Sequence, residues 1–82
     1  MRIPRDIDGK SLVRLLARYG YEVTRQTGSH IRLTSKICGE EHHMTIPDHN
    51  PLRIGTLNAV LGDIANYLNV SKDELIRDIF FS

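Results

Sequence analysis

The residues best suited to chemistry in this chain are four histidines, His30, His42, His43 and His49, and a set of arginines gathered in its first half. His30 follows Gly28-Ser29 and opens the alternating run Ile31-Arg32-Leu33. Glycine takes positive φ without steric cost, so Thr27-Gly28-Ser29 reads as a tight turn and His30 as the first residue of the strand that leaves it. That placement fixes the backbone and exposes the ring, and an imidazole titrating near neutral pH can accept and return a proton. By residue type alone, a surface histidine with no task is the commoner case. A second candidate is Arg53-Ile54-Gly55-Thr56-Leu57, which leads into a helix. The free N–H groups and dipole of a helix start attract anions; Gly55 permits close approach, Thr56 adds a hydroxyl and Arg53 a charge. An ordinary capped helix start has the same composition. Cys38, His42, His43 and His49 invite a zinc reading, but their spacing matches no standard ligand set and adjacent strand residues point to opposite faces. No metal and no cofactor is expected. No Gly-rich nucleotide loop, nucleophile elbow or paired-carboxylate pattern is present.

The elements that must position these residues follow from periodicity. Leu12, Leu15, Leu16 and Tyr19 recur at three- and four-residue spacing and predict a helix from Asp8 to Tyr19. Asp8 is its N-cap, Ile7 and Leu12 form a hydrophobic staple, and Gly20 ends it. Tyr21 to Gln26 switches to period two, with Tyr21 and Val23 inward. His30 to Ser35 is a second strand with Ile31 and Leu33 inward, and Lys36 to Glu41 is a loop. His42 to Ile46 is a third strand with Met44 and Ile46 inward, ended by Pro47, which cannot donate to a ladder. Thr56 to Leu68 reads as a helix, and Ser71 to Phe80 as another, opened by a Ser71/Glu74 capping box and a Val70/Leu75 staple. The order is α-β-β-β-α with an added C-terminal helix: an α+β fold whose antiparallel meander is covered by helices on one face and open on the other.

Alternation assigns the open face. If Ile31 pairs with Ile46 and Leu33 with Met44, the outward set is His30, Arg32, Thr34, His43 and Thr45, joined from the first strand by Glu22, Thr24 and Gln26. Arg25 falls on the inward parity, and a bulge or a snorkelling stem is needed to bring its head to the rim.

The 82 residues suffice for one small domain, 1–82, without a large cavity. With 40% hydrophobic and 26% charged residues the chain reads as soluble and globular. No apolar run is long enough for a membrane, the segment from Met1 to Asp6 lacks the apolar stretch of a signal peptide, and a cytoplasmic location is expected. The lone Cys38 has no internal disulfide partner. Net charge is +1, but residues 1–36 hold eight basic and three acidic side chains, while residues 37–82 hold three basic and seven acidic. The basic half, with Arg14, Arg18, Arg25, Arg32 and Lys36, would attract a polyanion; a bipolar surface kept for solubility fits equally well.

Three pieces in order complete a pattern: Gly28-Ser29-His30 in a β-turn-β, Thr45-Ile46-Pro47-Asp48-His49, and Leu52-x-x-Gly55-Thr56-Leu57 opening a helix. Together with the helix from Ser11 to Tyr19, Gly20-Tyr21 and Arg25, they resemble the HicA toxin family over about residues 8–68. The resemblance implies a fold like a double-stranded RNA-binding domain. It also implies an mRNA interferase activity that cuts RNA and arrests translation, and a HicB antitoxin partner. The family's essential histidine falls on His30, its Gly-Ser turn on Gly28 and Ser29, its Pro-x-His on Pro47 and His49, and its Gly-Thr-Leu on Gly55, Thr56 and Leu57. Many members carry a basic residue nearer the Gly-Thr pair, where this chain has Ile54 with Arg53 one step back. The C-terminal helix, about 71–80, is not part of every member.

The expected activity is a metal-independent endoribonuclease using RNA's own 2′-hydroxyl as nucleophile. His30 removes its proton or protonates the leaving oxygen, Arg25 or Arg32 steadies the phosphate, and His43 is a candidate second proton carrier. The free toxin is expected to be a monomer. The alternative is a module that binds duplex RNA without cutting it, and a third reading makes the open face a protein-binding surface.

Overall fold

Asp8 starts the first helix by accepting from the Ser11 N–H at 2.7 Å, which satisfies one of the donors that a helix start leaves unpaired. The computed structural model describes residues 3–81, so the first two residues of the segment searched for a leader lie outside it. Helix α1 (Gly9–Leu16) buries Leu12 and Leu16 completely. Its predicted last turn tightens into a 3₁₀ segment, Ala17–Tyr19, closed by Gly20 at φ 81°. The Ser35 hydroxyl donates to the Tyr19 carbonyl at 2.8 Å and ties this corner to the sheet.

The sheet has three antiparallel strands in the order β1 (Glu22–Thr27), β2 (His30–Ser35) and β3 (His42–Pro47). Ile31 pairs with Ile46 and Leu33 with Met44, the register expected from alternation. Pro47 is the last residue of β3, not the first beyond it, and pairs with His30; proline is tolerated there because β3 is an edge. The two-residue loop Gly28-Ser29 has positive φ only at Gly28 (56°), the pattern of a II′ turn.

Strand β1 departs from simple alternation. The register jumps between Val23, paired with Leu33, and Arg25, paired with Arg32, leaving Thr24 as the extra residue of a bulge. Beyond it Arg25 shares a column with Arg32 on the open face, and Gln26 shares one with Ile31 on the helix side. The expected outward position of Gln26 is therefore wrong. So is the inward burial of Val23, which is 51% exposed: it has helix-side parity, but β1 is the edge strand that the helices do not reach over. Tyr21 is buried, as expected, but precedes the strand.

Helix α2 (Ile54–Leu68) begins two residues before its expected start at Thr56 and packs on β3 beside α1. Leu57, Val60, Leu61, Ile64 and Ala65 form its buried stripe. Helix α3 (Lys72–Phe81) is opened by Ser71, whose hydroxyl accepts from the Glu74 N–H at 3.1 Å. It buries Leu75, Ile76 and Ile79 against α2. Arg18 donates to the Asp78 carbonyl at 2.7 Å, and the Tyr19 hydroxyl bonds the Asp78 carboxylate, so α3 is clamped to the end of the first helix. Among the described residues no helix is long and apolar enough to cross a membrane.

Candidate active site

His30 stands at one end of the open face, where three connections converge. Across β1 its column partner is Thr27, and across β3 it is Pro47. The Asp48 N–H donates to the Ser29 carbonyl at 2.6 Å, pinning the turn before His30 to the chain leaving β3. The same chain is stitched to α1: the Gly9 N–H donates to the His49 carbonyl at 3.0 Å, and the Leu52 N–H to the Ile7 carbonyl at 2.8 Å. The packing at Gly9 is so close that a Cβ there would lie 2.3 Å from the Pro47 carbonyl oxygen. Only glycine lets α1 approach this end of the sheet, so the turn, the 47–52 segment and both helix starts are held as one corner. His30 and His49 are both exposed there.

Cations lie next along the face. Arg25 and Arg32 are direct cross-strand partners, one column beyond His30, which the rise of a strand makes about 7 Å. Neither guanidinium has a hydrogen-bond or ion-pair partner among the described residues. Like charges directly opposite one another weaken a sheet, so the pair is held at some cost in stability. The N-terminus of α2 adds a second electropositive feature at the His30 end. Arg53 occupies the cap position without a capping side chain, the first turn has no acidic residue, and the backbone at Gly55 is open. Thr56, expected as the first helical residue, is the third, half-buried in that first turn.

The other end of the face is arranged differently. His43 pairs with Thr34, four residues along β2 from His30, so the two histidines are about 13 Å apart. The His43 Nδ1 is 2.8 Å from the Thr34 hydroxyl, which is 3.1 Å from the Thr24 hydroxyl; its Nε2 is 3.6 Å from the Glu41 carboxylate. His42, on the opposite parity, stacks on Tyr67 and bonds the Tyr21 hydroxyl through Nδ1 at 2.7 Å. Burial drives the Tyr21 phenol well above its ordinary pKa. Among the described residues no three His, Cys, Asp or Glu side chains gather as a metal site.

The model of the family described as HicA toxin of bacterial toxin-antitoxin matches residues 9–65, more than half of the chain. The chain belongs to the HicA toxin family. Searches of curated proteins and of solved structures found no match. Membership in HicA implies an antitoxin partner. The matched span ends inside α2, so α3 and its clamp through Asp78 lie outside it.

In this HicA fold the Gly28-Ser29-His30 turn, Arg25 and Arg32 come together on the open face, with Arg53, Gly55 and Thr56 at the same end of the molecule. His43 is not brought to His30. The histidine at the His30 end is His49, which its place two residues beyond Pro47 signalled in the sequence.

Proposed function

We propose that this HicA toxin is a metal-independent endoribonuclease in which His30 moves the proton. The observation that supports this best is the opposed pair Arg25 and Arg32, paired with no carboxylate among the described residues and one column from an exposed imidazole. A sheet that tolerates two facing cations gains from an anion that neutralises both, and an RNA phosphodiester does so. With the phosphate between the guanidiniums and His30, the ring takes the proton of the RNA 2′-hydroxyl. The 2′-oxygen bonds phosphorus, the bond to the 5′-oxygen breaks, and that oxygen takes up a proton. The products are a 2′,3′-cyclic phosphate and a 5′-hydroxyl, with the arginines stabilising charge on the phosphorane. His49 is better placed than His43 to return the second proton. Both reactants are parts of RNA, so no metal or cofactor enters the step.

Cutting mRNA in the cytoplasm arrests translation, and a HicB-type antitoxin silences the toxin by covering the His30 corner. The test is expression of wild type and His30→Ala in cells, paired with cleavage of a defined RNA by purified protein. The expected result is loss of growth arrest and a roughly 10²- to 10⁴-fold fall in cleavage. His30 is exposed, so the variant folds; cleavage at the wild-type rate overturns the assignment. RNA carrying 2′-deoxy at the cut position is expected to resist, and its cleavage would overturn the nucleophile alone.

A further inference from the structure

The partnered end of the open face contains a depression of about 370 Å³ that shares only Arg32 with the cleavage chemistry. It is lined by Gly20, Glu22, Thr24, Arg32, Thr34, Lys36, Glu41 and His43. The volume falls at the small end of the range that holds small ligands, roughly 300–1,000 Å³. Its floor is the Thr34 hydroxyl, only 9% of that residue being exposed, held between Thr24 and His43. The His43 ring is fixed on both sides, by Thr34 and Glu41, and Glu41 is itself 3.6 Å from Lys36. Glu22, paired across the sheet with Thr34, has no partner among the described residues.

The charges select the occupant. Lys36 is already paired with Glu41, Arg32 is shared with the phosphate-binding column beside it, and the unpartnered Glu22 repels a phosphate. A free carboxylate on a face that meets a polyanion lowers affinity for RNA in general, which makes it useful only where it discriminates. A neutral ring with a planar face and an N–H donor fits all the lining groups. It stacks on the fixed imidazole or the Arg32 guanidinium and donates to Glu22. Unpaired bases are recognised in this way, by stacking and by hydrogen bonds to their edges. Carboxylates accept from exocyclic amino groups, which adenine, cytosine and guanine carry; uracil's single N3–H donor lies between two carbonyl oxygens that the carboxylate repels.

We propose that this depression binds one unpaired, amino-bearing nucleobase of the substrate and so sets cleavage preference at a fixed nucleotide offset from the cut. The inference rests on the endoribonuclease reading for its connection to cleavage, and on the pocket alone for base binding.

The test is cleavage of a single-stranded RNA library by wild type, Glu22→Gln and Thr34→Val, with the cut ends sequenced. Wild type is expected to disfavour uracil at one offset by on the order of tenfold. Glu22→Gln, at an exposed position, is expected to bring that ratio to within about twofold, the amide being a weaker acceptor than the carboxylate. Cleavage with the same base profile in wild type and both variants overturns the proposal. If wild type cuts nothing, the endoribonuclease reading fails, and titration of the protein with adenosine, cytidine, guanosine and uridine decides by amide NMR. Shifts at Thr34 and His43 that are weakest with uridine and lost in Glu22→Gln support the pocket; no shifts with any nucleoside overturn it.

Discussion

The two ends of the open sheet face each present a histidine, and they differ in what holds it. At one end His30 projects from a pinned turn, one column from two arginines, and none of the three side chains has a partner among the described residues. At the other His43 is gripped by Thr34 and Glu41, while His42 is stacked on Tyr67 beneath it. A ring that must accept a proton, turn and release it is served by rigid backbone and an unclaimed side chain. A ring that must present a flat, oriented surface is served by the reverse. On the proposed reading, the same residue type, on strands of one sheet, is set to two kinds of work by its neighbours.

The sharpest way to break this contrast is to neutralise each histidine in turn. His30→Gln is expected to lower RNA cleavage by at least about 100-fold, and His43→Gln by less than about tenfold with an altered cut-site profile. Equal losses in single-turnover assays would erase the distinction between the ends. Next in size is Gly9→Ala. Its methyl must displace the Pro47 carbonyl, so urea unfolding is expected to show a loss of about 1–3 kcal/mol. Because that carbonyl belongs to His30's column partner, the surviving folded protein is expected to cleave more slowly too.

Tyr67→Phe acts on the opposite end. The hydroxyl accepts from the Cys38 N–H at 3.1 Å and donates to the Glu40 carbonyl at 2.5 Å, holding the loop between β2 and β3. Its removal is expected to cost about 1–2 kcal/mol in thermal unfolding. The cleavage rate per folded molecule should stay nearly constant; a collapse would mean that the two ends are mechanically coupled. A pH titration probes two other phenols, Tyr19 and Tyr21. Burial, helped by the Asp78 carboxylate, raises Tyr19 from its ordinary 10.0 to about 12, and Tyr21 moves the same way. Between pH 10 and 12 the unfolded chain releases protons that the folded one keeps, so stability is full below pH 10 and falls as pH rises through that window. Phenolate absorbance followed alongside unfolding checks the sign. The smallest effect separates function from stability outright. Arg25→Ala is expected to raise stability by about 0.2–1 kcal/mol by relieving the facing charge, while weakening RNA binding and lowering its salt dependence by about one counterion. A destabilised Arg25→Ala would show that the guanidinium is engaged in the free protein.

Helices, strand order and the pairing of β2 with β3 were legible in the sequence because each buries a clear apolar stripe: Ile31, Leu33, Met44 and Ile46 had one self-consistent register. Strand β1 was the weak point. Tyr21 and Val23 alternate as a buried strand should, yet burial depends on whether a helix reaches over the edge, and at Val23 none does. The early start of α2 was hidden for a related reason. Arg53 provides no side-chain cap, so the helix begins without the polar signal that marked Asp8 and Ser71. At the candidate site the turn and His30 were plain from local chemistry. Parity puts His43 on the same face as His30 but does not encode distance along the strands, and four residues of register separate the two. The grip of Glu41 and Thr34 on His43 links two strands and a loop, a relation that no spacing within one segment encodes.

The extra residue at Thr24 has a consequence for how this chain tolerates change. A strand is read in steps of two, and one added residue shifts the frame for everything downstream of it. In β1 that shift carries Arg25 to the face where RNA would lie and turns Gln26 toward the helices. A regular ladder without the bulge, in which Thr24 paired with Arg32, would reverse both without altering a single charged residue. Two proteins of identical charge and nearly identical sequence would then differ in whether the guanidinium facing Arg32 exists at all.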